Sequence, residues 1–187
     1  MNLYWRIFTH ILILLLVCIP LELIGCIVLL PVVYYQGGVF TQLPRIIRWF
    51  DNADQFIGRD TSTYQAVAES GWWNRYLWLA FRNPSNYFGY TVLGHKVKEK
   101  LSLVSYDADT ASLPIGDRVG ENPGTEYTVV NDAGTEVWQY HKIIKWSDTK
   151  CARFLIGWKI FDIEKNEVGS IIQWACTIQP YKDYTGN

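Results

Sequence analysis

IFTHILILLLVCIPLELIGCIVLLPVVYY, residues Ile7–Tyr35, is the stretch whose reading decides how this chain is built. Its 29 residues carry one formal charge, Glu22. About 20 apolar residues cover a hydrocarbon core of roughly 30 Å, so one helix of this length crosses a bilayer with room to tilt, and two crossings do not fit. The expectation is therefore a single N-terminal transmembrane helix. A cleaved secretory leader fits poorly, because its apolar core is short and ends at a small-residue site. Here the first alanine is Ala53. The sharper rival is a lipoprotein signal: Leu23-Ile24-Gly25-Cys26 has the pattern of an apolar pair, a small residue and an acylated Cys. Against it, Ile27–Val33 stays apolar past the Cys, and Pro20 and Glu22 interrupt the run before it.

Within the stretch, Cys18, Glu22 and Cys26 fall at i, i+4 and i+8 with Gly25 beside them, which places small and polar residues on one helical face. Small residues let membrane helices approach closely, and polar ones hydrogen-bond across the contact. One reading is a helix–helix contact, with self-association or a partner transmembrane helix. The other is a tolerated Glu beside a kink at Pro20, whose missing N–H frees the Leu16 carbonyl. A charge at mid-membrane costs about 2.5–3.5 kcal/mol, so Glu22 is expected to be neutral, paired or hydrated. Arg6 directly precedes the span, whereas Arg45 and Arg48 follow it at a distance. The positive-inside rule then gives a cytoplasmic N-terminus and a periplasmic domain.

A chain of 187 residues divides naturally into a span and one soluble domain. The boundaries read as a tail and transmembrane helix at 1–36, a membrane-proximal aromatic, mostly helical segment at 37–94, and an antiparallel β segment at 95–187. The last two form one soluble domain, expected to fold without the span. The fold class is thus α+β, with short helices packed on an antiparallel meander. Net charge is −1, which gives nucleic-acid binding no electrostatic support. Every basic residue before His95 other than His10 is Arg, and every Lys lies from Lys96 onward.

Nine Trp is a high count, and Trp and Tyr favour the membrane–water interface because their rings are amphipathic. Trp49, Phe50, Trp72, Trp73, Tyr76 and Trp78 are the candidate membrane-interface residues. Pro44 can open a short amphipathic helix over Arg45–Phe50. Asp51–Asp60 carries three carboxylates and a Gly, but it misses the calcium-loop pattern and reads as an Asx-rich turn. Thr63–Ser70 and Trp72–Arg82 read as helices parted at Gly71. Asn83-Pro84 stops the second, and Ser85–Gly94 reads as irregular.

From Lys96 the period changes to that of strands. Lys100–Asp107 alternates, Ala108–Thr125 is a long loop, and Glu126–Val130 with Thr135–Trp146 flanks the hairpin signal Asn131-Asp132-Ala133-Gly134. Trp138, Tyr140, Ile144 and Trp146 share one face. So do Ala152, Phe154, Ile156, Trp158 and Ile160 of Cys151–Asp162, and Ile172, Trp174, Cys176 and Ile178 of Val168–Ile178. A three-residue turn at Glu164–Asn166 pairs Phe154 with Cys176 and Trp158 with Ile172. That register makes Cys176 a core thiol, with Cys151 on the opposite face. Segment 45–94 is expected to cover the Trp- and Ile-rich face.

Catalytic patterns are missing from the sequence. His10, His95 and His141 are scattered, and no nucleophile elbow, Walker loop, zinc-protease helix or Rossmann glycine pattern occurs. Asp117 and Glu121 read as a solvated loop pair. The expectation is a protein without catalytic residues, metal or cofactor.

Leu43-Pro44-Arg45 through Trp49-Phe50-Asp51, Gly58-Arg59-Asp60, Trp78–Pro84 and Gly157-Trp158-Lys159 resemble an uncharacterised family of tailed-bacteriophage and prophage proteins. The similarity covers roughly Leu43–Pro180. It implies an apolar N-terminus and a Trp-rich domain, and it brings no activity, so no functional residue is carried over. Some relatives look richer in Asp around Asp54–Asp60, where this chain has Gln55, Phe56 and Ile57.

Two function classes follow besides an enzyme. One is a phage protein anchored in the host inner membrane that binds a host or phage envelope protein, superinfection exclusion being an example. The other is a virion component, a tail or genome-delivery protein whose helix packs in the particle or enters the membrane.

Overall fold

The helix forms over Leu3–Gln36, longer than the apolar stretch itself. In the computed structural model it comprises α1 (Leu3–Ile13), a π-turn (Leu14–Cys18) and α2 (Ile19–Gln36). The π-turn lies just ahead of Pro20, and there the Ile19 N–H reaches back to the Leu14 carbonyl. Proline has no N–H to return to Leu16, and a widened turn is the usual adjustment to such a break. The structure describes residues 2–37, 41–53, 62–82, 84–109, 123–160, 163 and 166–184.

The protein is α+β and divides into two compact units, Leu12–Val92 and Met1–Ile11 with Leu93–Asn187. The first is helical. After α2 come a 3-10 turn at Arg45–Phe50, α3 (Ser62–Glu69), α4 (Trp72–Leu77) continued by a π-turn to Arg82, and α5 (Asn86–Thr91). Pro44, at φ −49°, opens the 3-10 turn. Asp51 closes it: its carboxylate accepts from the Leu43 N–H at 2.8 Å and from the Asn52 N–H at 2.9 Å. Helix α5 occupies a segment expected to be irregular; Ser85 at φ 48° turns the chain into it after Pro84. The core of this unit joins Leu29 and Val33 of α2 to Leu43, Phe50, Tyr76, Leu79 and Ala80.

The second unit is a five-stranded antiparallel sheet in the order β2 (Ser102–Ala108), β3 (Gly124–Asp132), β4 (Thr135–Lys145), β5 (Lys150–Trp158), β7 (Trp174–Asp183). A separate short ladder pairs β1 (His95–Lys96) with β6 (Ile171–Ile172). The β3–β4 hairpin turns on Ala133 and Gly134, both at positive φ (49° and 81°), the two-residue turn whose twist matches the strands.

Three expectations are corrected here. The β5–β7 register pairs Phe154 with Ile178, Ile156 with Cys176 and Trp158 with Trp174, two residues from the expected one. The connection between the strands is longer than a three-residue turn, because Ile171–Ile172 leaves to pair with β1. Faces survive a two-residue slip, so Cys176 stays on the Trp side, but Ile172 joins the opposite cluster with Val97, Leu101, Val130 and Val137. Next, Ile144, Trp146 and Ile178 are exposed, while both faces of the middle of β4 and β5 are covered. Finally, the element that covers Val129, Trp138 and Ile156 is α1, through Ile7 and His10. Segment 45–92 falls in the helical unit.

Candidate functional site

The helix is the feature with the clearest chemistry. Gly25 of α2 is buried, and a Cβ built on it would lie 2.7 Å from two ring carbons of Phe50. Cys26 is half-buried; its Sγ lies 3.9 Å from the Ala80 carbonyl, and its own carbonyl accepts a hydrogen bond from the Tyr76 hydroxyl at 3.1 Å. Cys18 is buried and Glu22 half-buried. The face expected to meet another helix is thus met, at Gly25 and Cys26, by the 3-10 turn and α4 of the same chain. A small residue permits this close approach. The sequence did not show that the partner lies in the chain itself, because helical spacing gives a face and not its neighbour.

The aromatic residues divide. Phe50 and Tyr76 point into the helical core rather than outward. Trp72 and Trp78 are half-buried, with the Trp72 ring 5.0 Å from that of Tyr34. Trp49 and Trp73 are exposed, at 49% and 50%. Arg75, which the sequence reading passed over, is buried. It donates to the Gln36 side-chain oxygen at 2.9 Å and to the Thr41 carbonyl at 2.5 Å, tying the end of α2 to the chain that leaves it.

In the sheet unit, His10 sits among three indoles. Its ring centroid lies 4.6 Å from Trp138, 5.0 Å from Trp158 and 5.7 Å from Trp174. Its Nδ1 faces the Arg6 carbonyl at 3.1 Å. One turn earlier, Arg6 is buried and pairs with Glu136 at the start of β4. The helix start is therefore fixed to the sheet by an ion pair and an aromatic pocket. Trp158 also donates its indole N–H to the Leu93 carbonyl.

Several polar side chains of the sheet unit are engaged in hydrogen bonds within the fold. Asp132 is buried, accepting from the Lys98 and Glu99 N–H groups and bonded to His95 Nε2 at 2.6 Å. Burial alone would raise its pKa, but the Glu99 N–H, the His95 ring and the Lys98 N–H favour the carboxylate and lower it overall. Arg153 Nε donates to His141 Nε2 at 3.3 Å, so that ring nitrogen is an acceptor already engaged. Burial pushes the Cys176 thiol up to about 11 and raises Cys151 as well, which keeps both as unreactive thiols. The Asp54–Asp60 loop, Asp117 and Glu121 lie outside the described residues. Among those described, no three His, Cys, Asp or Glu side chains gather as a metal site would require.

Together these features define an α+β protein whose long N-terminal helix is apolar enough to cross a membrane. The chain belongs to the family of unknown function DUF7338, whose model matches residues 2–186. Neither a curated protein nor a solved structure matches it.

Proposed function

We propose that this protein is a membrane-anchored binding protein held by its N-terminal helix. The single observation that carries the reading is the helix itself: 34 residues long, with 11% of its most apolar stretch buried. The core helix of a soluble protein would be mostly covered, and leaving this much apolar surface in water is unfavourable by about 25 cal/mol for each Å². The resemblance to tailed-phage and prophage proteins supports a phage-encoded protein at the host inner membrane, where its partner is a host or phage envelope protein and excluding later phages is the kind of task it would perform. Action by binding, without catalysis, is supported by the structural engagement of Asp132, His95, His141 and Arg153. The virion reading leaned on the small-residue face, and that face is met within the chain at Gly25 and Cys26.

Fractionation tests it. Expressed in bacteria, the full chain is expected in the membrane pellet and resistant to carbonate. Recovery in the soluble fraction without detergent would remove the anchor. During infection, recovery in purified particles rather than in host membranes would replace this reading with the virion one.

A further inference from the structure

We infer that β2, the outer strand of the sheet unit, pairs antiparallel with β2 of a second copy of this chain, so that two five-stranded sheets join across a two-fold axis. The inference concerns the sheet unit alone and goes beyond the anchoring proposed above.

Among the described residues, β2 (Ser102–Ala108) pairs with β3 on one side and with no strand on the other. Alternate backbone N–H and C=O groups of such a strand point outward unpaired, a template for another strand. All of β2 but Ala108 is exposed, including the apolar side chains Leu103, Val104 and Tyr106. Edge strands are commonly blunted by Pro or Lys. The opposite edge, β7, carries Pro180 and Lys182 within its length. Between Ser102 and Ala108 there is neither, and the only charge is Asp107.

This edge is complementary to its own reverse. Lys100 is exposed just before the strand, and Asp107 is exposed near its end. Laid antiparallel about Leu103, two copies set Lys100 against Asp107, Leu101 against Tyr106, Ser102 against Ser105 and Leu103 against itself. Opposite charges directly across from one another stabilise a strand pair, and like charges destabilise it. A two-fold axis repeats each of these contacts, which gives two Lys–Asp pairs.

The symmetry also demands that opposing residues share a sheet face. In a regular strand, residues an odd number apart lie on opposite faces, so Ser102 could not face Ser105. The β-bulge between Leu103 and Ser105 removes that obstacle. Ser102 pairs with Asn131 and Ser105 with Val129, so both stand on one face; Leu103 and Tyr106, paired with Val130 and Thr128, stand on the other. Leu101 is buried with Val130 and Val97. The second copy's Tyr106 therefore comes against the rim of that cluster. The occupant of the edge is a second copy because the complementarity lies within the strand itself.

The full chain in detergent tests this. Sedimentation velocity over a range of protein concentrations is expected to show a monomer–dimer equilibrium for the wild type. Lys100→Asp and Asp107→Lys, both at exposed positions, each turn two attractions into two repulsions and are each expected to weaken the dimer about tenfold. The double variant Lys100→Asp/Asp107→Lys exchanges the signs and should return the dissociation constant to the wild-type range. Leu103→Cys puts like residues opposite one another at the axis, and oxidation should yield a linked dimer on a non-reducing gel. Val168→Cys, exposed elsewhere in the sheet unit, should not link, and neither should the wild type, whose four cysteines are buried or half-buried. A wild type that stays monomeric at every concentration overturns the inference. So does a dimer indifferent to both single reversals, a double variant as weak as the singles, or a dimer that Leu103→Cys does not link. The anchoring reading is decided separately, by fractionation.

Discussion

Gly25 lies directly beneath the ring of Phe50, so close that even a methyl group on Gly25 would come within 2.7 Å of the ring edge. Phe50 is buried among Leu29, Val33, Tyr76 and Leu79 and has little room to swing aside. Gly25→Ala gains about 1 kcal/mol of helix propensity, but overpacking of this kind costs about 1–3 kcal/mol. The net expectation is a lower melting temperature for the full chain in detergent. Combining it with Phe50→Leu should restore part of the loss. Strict additivity of the two changes would mean that the ring and the glycine do not meet.

The sheet is expected to depend on the helix start. His10 touches three indoles, and its removal leaves a cavity over Trp138, which is buried. Large-to-Ala changes in cores cost about 3–5 kcal/mol, and His10→Ala is expected near the lower end. Tryptophan emission should move to the red as the pocket admits water. A fragment 43–187, which lacks Ile7 and His10, should show the same shift and melt early. Native emission from that fragment would show that the sheet completes its own core, as the sequence reading expected.

Asp132 supplies a pH signature. Its carboxylate holds the Lys98 and Glu99 N–H groups and the His95 ring, and its pKa lies below the ordinary 3.8 despite burial. A carboxyl with a folded value below its unfolded one stabilises the fold above the unfolded value, and that contribution is lost as pH falls through the folded value. Asp132→Asn offers an amide where donors point inward, so about 2 kcal/mol of stability should go at neutral pH, by the scale of hydrogen bonds to a charged group. The gap between wild type and variant should narrow only below about pH 4. A gap that stays unchanged well below that pH would show that the carboxylate charge is not what stabilises the fold.

What the sequence disclosed, and what it withheld, follows from the range of each signal. The apolar run, the Asn131–Gly134 hairpin and the helices on either side of Gly71 are local, set by composition and turn chemistry within a few residues, and they form near the expected places. The register of β7 depended on where Ile171–Ile172 pairs, and that partner, His95–Lys96, lies far away in the chain. The partners of Gly25 and of His10 were hidden for the same reason: a helical face is legible from spacing, but Phe50 reaches Gly25, and Trp138 reaches His10, only through tertiary packing. Arg75 went unremarked because a single Arg among Trp and Tyr looks like an exposed interfacial residue until Gln36 and Thr41 are placed beside it.

Ile27 offers the sharpest separation of fold from membrane attachment. It is 75% exposed on α2, so Ile27→Lys should change the melting temperature in detergent very little, as for surface positions generally. On the proposed anchoring the same side chain faces lipid, where a lysine at the centre of a span costs about 2.5–3.5 kcal/mol and less near the headgroups, to which its long stem can reach. Membrane partitioning should fall at least about tenfold, since about 1.4 kcal/mol is one decade. Val168→Lys, at an exposed apolar position in the sheet unit, serves as the control and should leave partitioning unchanged. The measurement is vesicle co-sedimentation of the folded variants, with circular dichroism on both fractions. A drop for Ile27→Lys alone marks the outward side of α2 as the lipid contact. Equal sedimentation of wild type and both variants would place that side against protein, and the search for what covers it would move to a partner chain.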